Sequence, residues 1–153
     1  MPLHMFGDFV TTLALSTVAP AQAEVDVLVV GLHKGEDGPF LAPGAESVES
    51  AFSELSSTLA TMGATGAAGT VTSIPAMARV SAKIIVAVGL GEPNESGLSA
   101  ETLRRAAGSA VRTAAGKNSI GFAINGDGEA VSLGALLAPP SCRTRTPATW
   151  MSA

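Results

Sequence analysis

The chain is short of charge, of aromatic rings and of cysteine, and each shortage narrows what it can be. Only 14% of its 153 residues are charged and 4% are aromatic, with no tyrosine at all. A core built from it must be aliphatic and alanine-rich. Cys142 is the single cysteine, which excludes an intrachain disulfide and fits a reducing compartment. No run reaches the roughly 18–20 apolar residues that a membrane-spanning helix needs. Hydrophobic residues nevertheless make up 46% of the chain. A single domain of this length buries roughly 68–70% of its unfolded surface, enough for an ordinary core.

Charge is also placed unevenly. The formal net charge is −4, all 13 acids stand at or before Glu129, and Arg143 and Arg145 follow with no acid beside them. An acidic globular part argues against nucleic acid or an anionic membrane as a partner held by bulk charge. Near the start, Phe9 to Val18 is apolar enough for a leader, and Ala21-Gln22-Ala23 imitates a cleavage site. No Lys or Arg precedes it, however, and Val10 to Thr17 is rich in β-branched residues. That segment reads as a strand.

Further along, Val25 to Leu32 reads as a second, buried strand and His33 to Gly44 as a loop. Val48, Phe52, Leu55, Leu59 and Met62 recur at helical spacing, predicting a helix from Glu46 to Met62 closed by Gly63. Thr65 to Gly69 reads as a flexible glycine–alanine segment, and Thr70 to Ile74 as a short strand stopped by Pro75. Ile84 to Val88 is a continuous apolar run, as a strand covered on both faces requires. Gly89 and Gly91 then read as a turn, and Ser99 as the cap of a helix. Leu103, Ala106, Ala107, Ala110, Val111 and Ala114 form its apolar face, and Gly116 ends it. A strand at Ser119–Ile124, a turn at 125–128 and a helix from Glu129 to Leu137 complete the order ββαββαβα. Alternating strands and helices predict an α/β layered domain with a mixed sheet.

Chemistry-bearing residues are sparse. Glu36 with Asp37, and Asp127 with Glu129, are the carboxylates close enough in sequence to consider for metal. Both pairs read as solvated loop acids rather than as the converging set that a two-metal hydrolase needs. His4 and His33 lie far apart, and His33 beside Lys34 reads as a surface residue. Cys142 has no fixed base beside it. Gly89-Leu-Gly91 could offer N–H groups to a phosphate, but it lacks the third glycine of the dinucleotide fingerprint and the Gly-Lys-Ser/Thr of a P-loop. Arg104 and Arg105 read as a solvated helix face, with acids across a subunit contact as the other possibility. Asn94-Glu-Ser96 matches a glycosylation acceptor, which carries little meaning in a cytoplasmic protein. No catalytic, metal-binding or cofactor-binding residue can be assigned.

Taken together, Val25–Leu32, Ala82–Gly91 ending in Val88-Gly-Leu-Gly91, and the helix bearing Leu103-Arg-Arg-Ala-Ala-Gly108 resemble the N-terminal domain of the cytosol (leucyl) aminopeptidases. Gly134-Ala-Leu-Leu137 is similar to the family's helix leading toward the catalytic domain, so the resemblance covers about Val10 to Leu137. It implies a macro-domain-like fold, a mixed sheet flanked by helices. It further implies a cytoplasmic hexamer that removes N-terminal residues from peptides, using two divalent metals (Mn or Zn) in a separate catalytic domain. The signature Asn-Thr-Asp-Ala-Glu-Gly-Arg-Leu of that domain is not in these 153 residues, so no catalytic residue carries over. The expected role is assembly and substrate access. The alternative is a macro-like module holding a nucleotide or ADP-ribose.

From Ala138 the hydrophobic periodicity stops and three prolines arrive, two of them at Pro139-Pro140 where no helix can continue. Residues 1–137 therefore read as the domain and 138–153 as a disordered tail, the product of a frameshift or truncation. Such a tail buries too little surface to offset its ordering entropy. Cutting the chain after Leu137 should leave the melting temperature unchanged, and Trp150, the only tryptophan, should emit like a solvated indole. Blue-shifted emission with a large loss of stability on truncation would make the tail part of the fold.

Overall fold

In the computed structural model, the residues described are 19–77, 80–95, 99–114, 117 and 119–124. After a 3-10 turn at Pro20–Gln22 come β1 (Val27–Gly35), β2 (Gly38–Leu41), α1 (Glu46–Ala51), α2 (Leu55–Thr61), β3 (Val71–Pro75), β4 (Ile84–Gly91), α3 (Ala100–Thr113) and β5 (Ile120–Ala123). The strand expected at Val10–Thr17 and the helix expected at Glu129–Leu137 lie outside the described residues, as does the tail.

β1 is the spine of a five-stranded mixed sheet. On one side it runs parallel to β4, from Val27 opposite Ile84 to Leu32 opposite Gly89. On the other side its first half pairs in parallel with β5, Val27 opposite Ile120, and its second half in antiparallel with β2, Leu32 opposite Leu41. β3 closes the far edge against β4, antiparallel, and ends in Pro75. A proline there removes a backbone donor, which suits an edge strand.

Alternation along β1 and β4 divides the interior into two layers. Leu28, Val30, Leu32, Ile85 and Ala87 point to one side and meet Val48, Phe52, Leu55 and Leu59 of the α1–α2 segment. Val27, Val29, Val86 and Val88 point to the other and meet Leu103, Ala106, Ala107, Ala110 and Val111 of α3, together with Ile120 and Phe122 of β5. Helices on both faces explain why these strands are continuously apolar rather than alternating. The alanines of α3 let its backbone lie close to the sheet. Ser99 caps that helix, its Oγ accepting the Thr102 N–H at 3.1 Å.

Three local expectations are corrected. The loop expected at His33–Gly44 is largely a hairpin, because β1 continues to Gly35 and turns through Glu36–Asp37 into β2. Gly38, at φ 129°, supplies a left-handed conformation at the turn that glycine tolerates best. The single helix expected at Glu46–Met62 is two short ones interrupted around Phe52. No Gly or Pro breaks it. The segment instead holds seven serines and threonines, whose hydroxyls compete for backbone carbonyls: Ser50 and Ser57 donate to Glu46 O and Glu54 O, each at 2.9 Å. Met62, placed on the apolar face by spacing, is 60% exposed because α2 has already ended. Finally, Gly89 and Gly91 belong to β4 and not to a turn.

The packing of α3 gives a direct test. Leu103 is fully buried, while Arg104 on the next position is partly exposed and pairs with Glu101 at 3.5 Å. Leu103→Asp should leave the domain unfolded or molten, since an unpaired buried carboxylate costs several kcal/mol, comparable with the stability of a small domain. Arg104→Ala should change stability by no more than about 0.5 kcal/mol. Equal urea midpoints for the two variants would show that the helix face is wrongly assigned.

Candidate functional site

In an α/β sheet, ligands enter at the carboxyl ends of the parallel strands. Here those ends are Leu32–Gly35 of β1 and Gly89–Gly91 of β4, and the segment 64–70 between α2 and β3 lies directly across them. Composition alone makes Thr65–Gly69 a flexible segment, but in the fold it is tied down. Gly89 N–H donates to Thr70 O at 2.8 Å, Gly91 N–H to Gly66 O at 2.9 Å, and Gly69 N–H to Gly89 O at 3.3 Å. The Thr70 hydroxyl also donates to Ala67 O at 2.6 Å.

Glycine is required on both sides of this contact, in the strap and in β4. A Cβ on Gly89 would collide with the Ala67 carbonyl oxygen and with Thr70 Oγ1. Gly66 has φ 76°, and a Cβ there would meet the His33 carbonyl. These glycines are visible in the sequence, but only the fold shows that Gly66 packs on the His33 carbonyl and that Gly89 makes room for Ala67 and Thr70.

The consequence for ligand binding is specific. The two N–H groups of Gly89 and Gly91 that could have faced a phosphate are already bonded to carbonyls of the strap. The reading of Gly89-Leu-Gly91 as a structural element holds, although it is strand rather than turn. A macro-like nucleotide site based on these amides is not supported.

His33 corrects a second expectation. It is not at the surface: β1 extends past it and leaves it 5% exposed. Its Nδ1–H donates to Gly91 O at 3.1 Å and its ring lies 5.5 Å from that of Phe40. A register shift beside it, where His33 pairs with Gly91 and skips Leu90, turns Leu90 toward Gly31. Gly31 accommodates it by lacking the Cβ that would stand 2.6 Å from Leu90 Cδ1. His33 therefore joins two strand ends, and its partners among the described residues are the Gly91 carbonyl and the Phe40 ring.

Other candidates are dispersed. Glu36 and Asp37 are exposed at the hairpin turn. Arg104 and Arg105 find their acid on their own helix, both against Glu101, with Arg105 Nε at 2.7 Å. His4, Asp127, Glu129 and Cys142 lie outside the described residues. Among the described residues no three His, Cys, Asp or Glu side chains gather where they could hold a metal ion. The described side chains do not form a metal centre.

Such a three-layer fold, with a mixed sheet between helices, is that of the macrodomains. The macrodomain of Mycobacterium tuberculosis DarG is similar at a TM-score of 0.64 and 11% identity, covering 94% of this chain and 99% of that one. A tomato leucine aminopeptidase mutant is similar at a TM-score of 0.62 and 17% identity, over 94% of this chain but 32% of the other. The bottromycin maturation enzyme BotP, in complex with Mn, has a TM-score of 0.52 and 23% identity over 84% of this chain and 26% of its own.

Sequence is more specific than shape. Residues 25–135 match the N-terminal domain of the cytosol aminopeptidase family. A probable cytosol aminopeptidase of Streptomyces griseus subsp. griseus is 48% identical over 134 residues, 83% of this chain and 26% of the relative. Its counterpart in Streptomyces coelicolor is 44% identical over 117 residues, 74% of this chain and 23% of the relative. The chain belongs to the cytosol aminopeptidase family, and the part of the family it represents is the N-terminal domain. It spans about a quarter of the length of these curated relatives.

The strap predicts the outcome of one thermal-melting series. Gly89→Ala should lower stability by about 1–3 kcal/mol through overpacking against a backbone carbonyl, and ADP-ribose in millimolar excess should leave the unsubstituted chain's melting temperature unchanged. A ligand at 100 times its Kd would add about 2.7 kcal/mol. A clear upward shift with ADP-ribose would restore the nucleotide-module reading.

Proposed function

We propose that this domain serves assembly and substrate access in a leucyl-aminopeptidase-like metallo-exopeptidase that removes N-terminal amino acids from peptides. The observation that carries the reading is the family match over residues 25–135, in a chain that corresponds to only 26% of a 48%-identical relative. The described residues add physical support. They contain a well-packed sheet, buried strand ends and no cluster of metal-ligating side chains. In this reading the two divalent metals, Mn or Zn, and the peptide-bond chemistry belong to the remaining three quarters of such an enzyme. The intact protein is a cytoplasmic homo-hexamer acting on peptides, and the domain's boundary falls at Leu137. The relatives' description as cytosol aminopeptidases supports the compartment, and no helix among the described residues is long and apolar enough to cross a membrane.

Two measurements test the proposal together. The pure 153-residue chain, incubated with a leucine chromogenic amide and Mn²⁺ or Zn²⁺, should show no turnover. Replacing the corresponding segment of the Streptomyces griseus relative with residues 25–124 of this chain should preserve both its assembly and its hydrolysis of the amide. Turnover by the isolated chain that responds to its own mutation, or a chimera that folds yet neither assembles nor hydrolyses, would overturn the reading.

A further inference from the structure

The two helical layers carry opposite charge. Across 46–61, the α1–α2 layer has Glu46, Glu49 and Glu54, all exposed, and no Lys or Arg. On the opposite face of the sheet, α3 carries Arg104, Arg105 and Arg112 against one acid, Glu101, with exposed Lys117 just beyond its end and exposed Glu92 and Glu95 ahead of its start. Arg104 and Arg105 share that single carboxylate, and Arg112 donates to Ser109 Oγ at 3.1 Å. Glu101 can neutralise one cation at most, so α3 itself keeps a net positive charge, and residues 92–117 together carry four cations against three acids, in a chain whose total is −4.

From this segregation we infer that the α3 face of one copy docks on the α1–α2 face of another, in a head-to-tail contact between copies of this chain. Joining unlike faces makes the contact heterologous, so that it closes into a ring or continues as an open array according to the rotation it imposes. The inference deepens the assembly role proposed above and rests on that reading only for its purpose. Its geometry stands on the charge layout.

Magnitudes set the kind of contact. A stable interface buries roughly 1,200–2,000 Å², and α3, about 21 Å long at 1.5 Å per residue, offers much less. The association is therefore weak and dominated by charge, which gives orientation and encounter rate more than affinity. The net charge of −4 opposes it, but that repulsion acts between charges spread over the whole domain. At moderate salt, where the Debye length is about 10–14 Å, it is screened more than the Glu–Arg pairs brought together at the contact. High salt removes both.

Sedimentation velocity on the full 153-residue chain tests this at high protein concentration. In about 50 mM NaCl the sedimentation coefficient should rise with concentration, and in about 500 mM NaCl the rise should disappear as the Debye length shortens. Two variants isolate the faces: R105E with R112E on α3, and E49K with E54K on the other layer. All four positions are exposed, so both variants should melt near the parent. Each alone should stay monomeric in about 50 mM NaCl, since its altered face then opposes an intact face of like sign, whereas an equimolar mixture should recover association, because the intact acidic face of the first variant meets the intact basic face of the second. A third variant carrying all four substitutions inverts both faces and should associate again. A parent that stays monomeric, association indifferent to salt, or a four-substitution variant that folds but does not associate would each overturn the proposal. None of these results touches the chimera experiment, so the aminopeptidase reading stands or falls separately.

Discussion

Everything in this domain hangs on the parallel pairing of β1 with β4. These strands are buried on both faces, so each supplies apolar side chains to two layers at once: Leu28 and Val30 to the α1–α2 side, Val27 and Val29 to the α3 side. A fully buried side chain of this type contributes on the order of 1.5–3 kcal/mol before entropy is subtracted. A parallel pair also needs long connections, because its strands cannot be joined by a tight turn. The segment between β1 and β4 meets that need with α1, α2 and the strap, and the one after β4 meets it with α3. The helices are thus both the crossovers and the cover.

The same pairing governs the strand ends. Because β1 and β4 finish side by side, their carboxyl ends form the edge at which an α/β sheet usually receives ligands. The segment 64–70 occupies it instead, with Gly66 lying against the His33 carbonyl and Gly89 leaving room for Ala67 and Thr70, and it bonds the amides of Gly89 and Gly91. Burial of His33 follows from the same closure, since its Nδ1–H reaches the last carbonyl of β4. One structural choice, a glycine strap over two strand ends, therefore ties the strands together and takes up the Gly89 and Gly91 amides at that edge.

How much of this was legible in the sequence depended on how local the signal was. The face of α3 could be read in full, because all six apolar positions from Leu103 to Ala114 recur at helical spacing and are buried, and the Ser99 cap is a one-turn contact. The cores of β1 and β4 were equally plain as apolar runs. The hairpin was missed although Asp37-Gly38 is a turn signal, because Pro39, Gly35 and the short β2 looked like loop composition. The split between α1 and α2 was hidden since the apolar spacing stays helical across it, while the serine hydroxyls that compete with the helix act through geometry. The strap was least legible. Its glycines answer to strands distant in sequence, and a rule about flexible Gly–Ala segments cannot distinguish freedom from close packing.

Membership of the cytosol aminopeptidase family and the absence of a metal-ligating cluster among the described residues fit together physically. A two-metal hydrolase concentrates carboxylates whose mutual repulsion is relieved only by bound cations. The exposed acids here are spread along turns and outer helix faces, where solvent screens them, and the interior is almost purely aliphatic, with His33 as its one buried polar side chain among those described. Such a domain can be stable without any cation. Its two outer layers differ in charge, and the fold's layered construction is what keeps those layers apart: α1 and α2 lie on one face of the sheet and α3 covers the other.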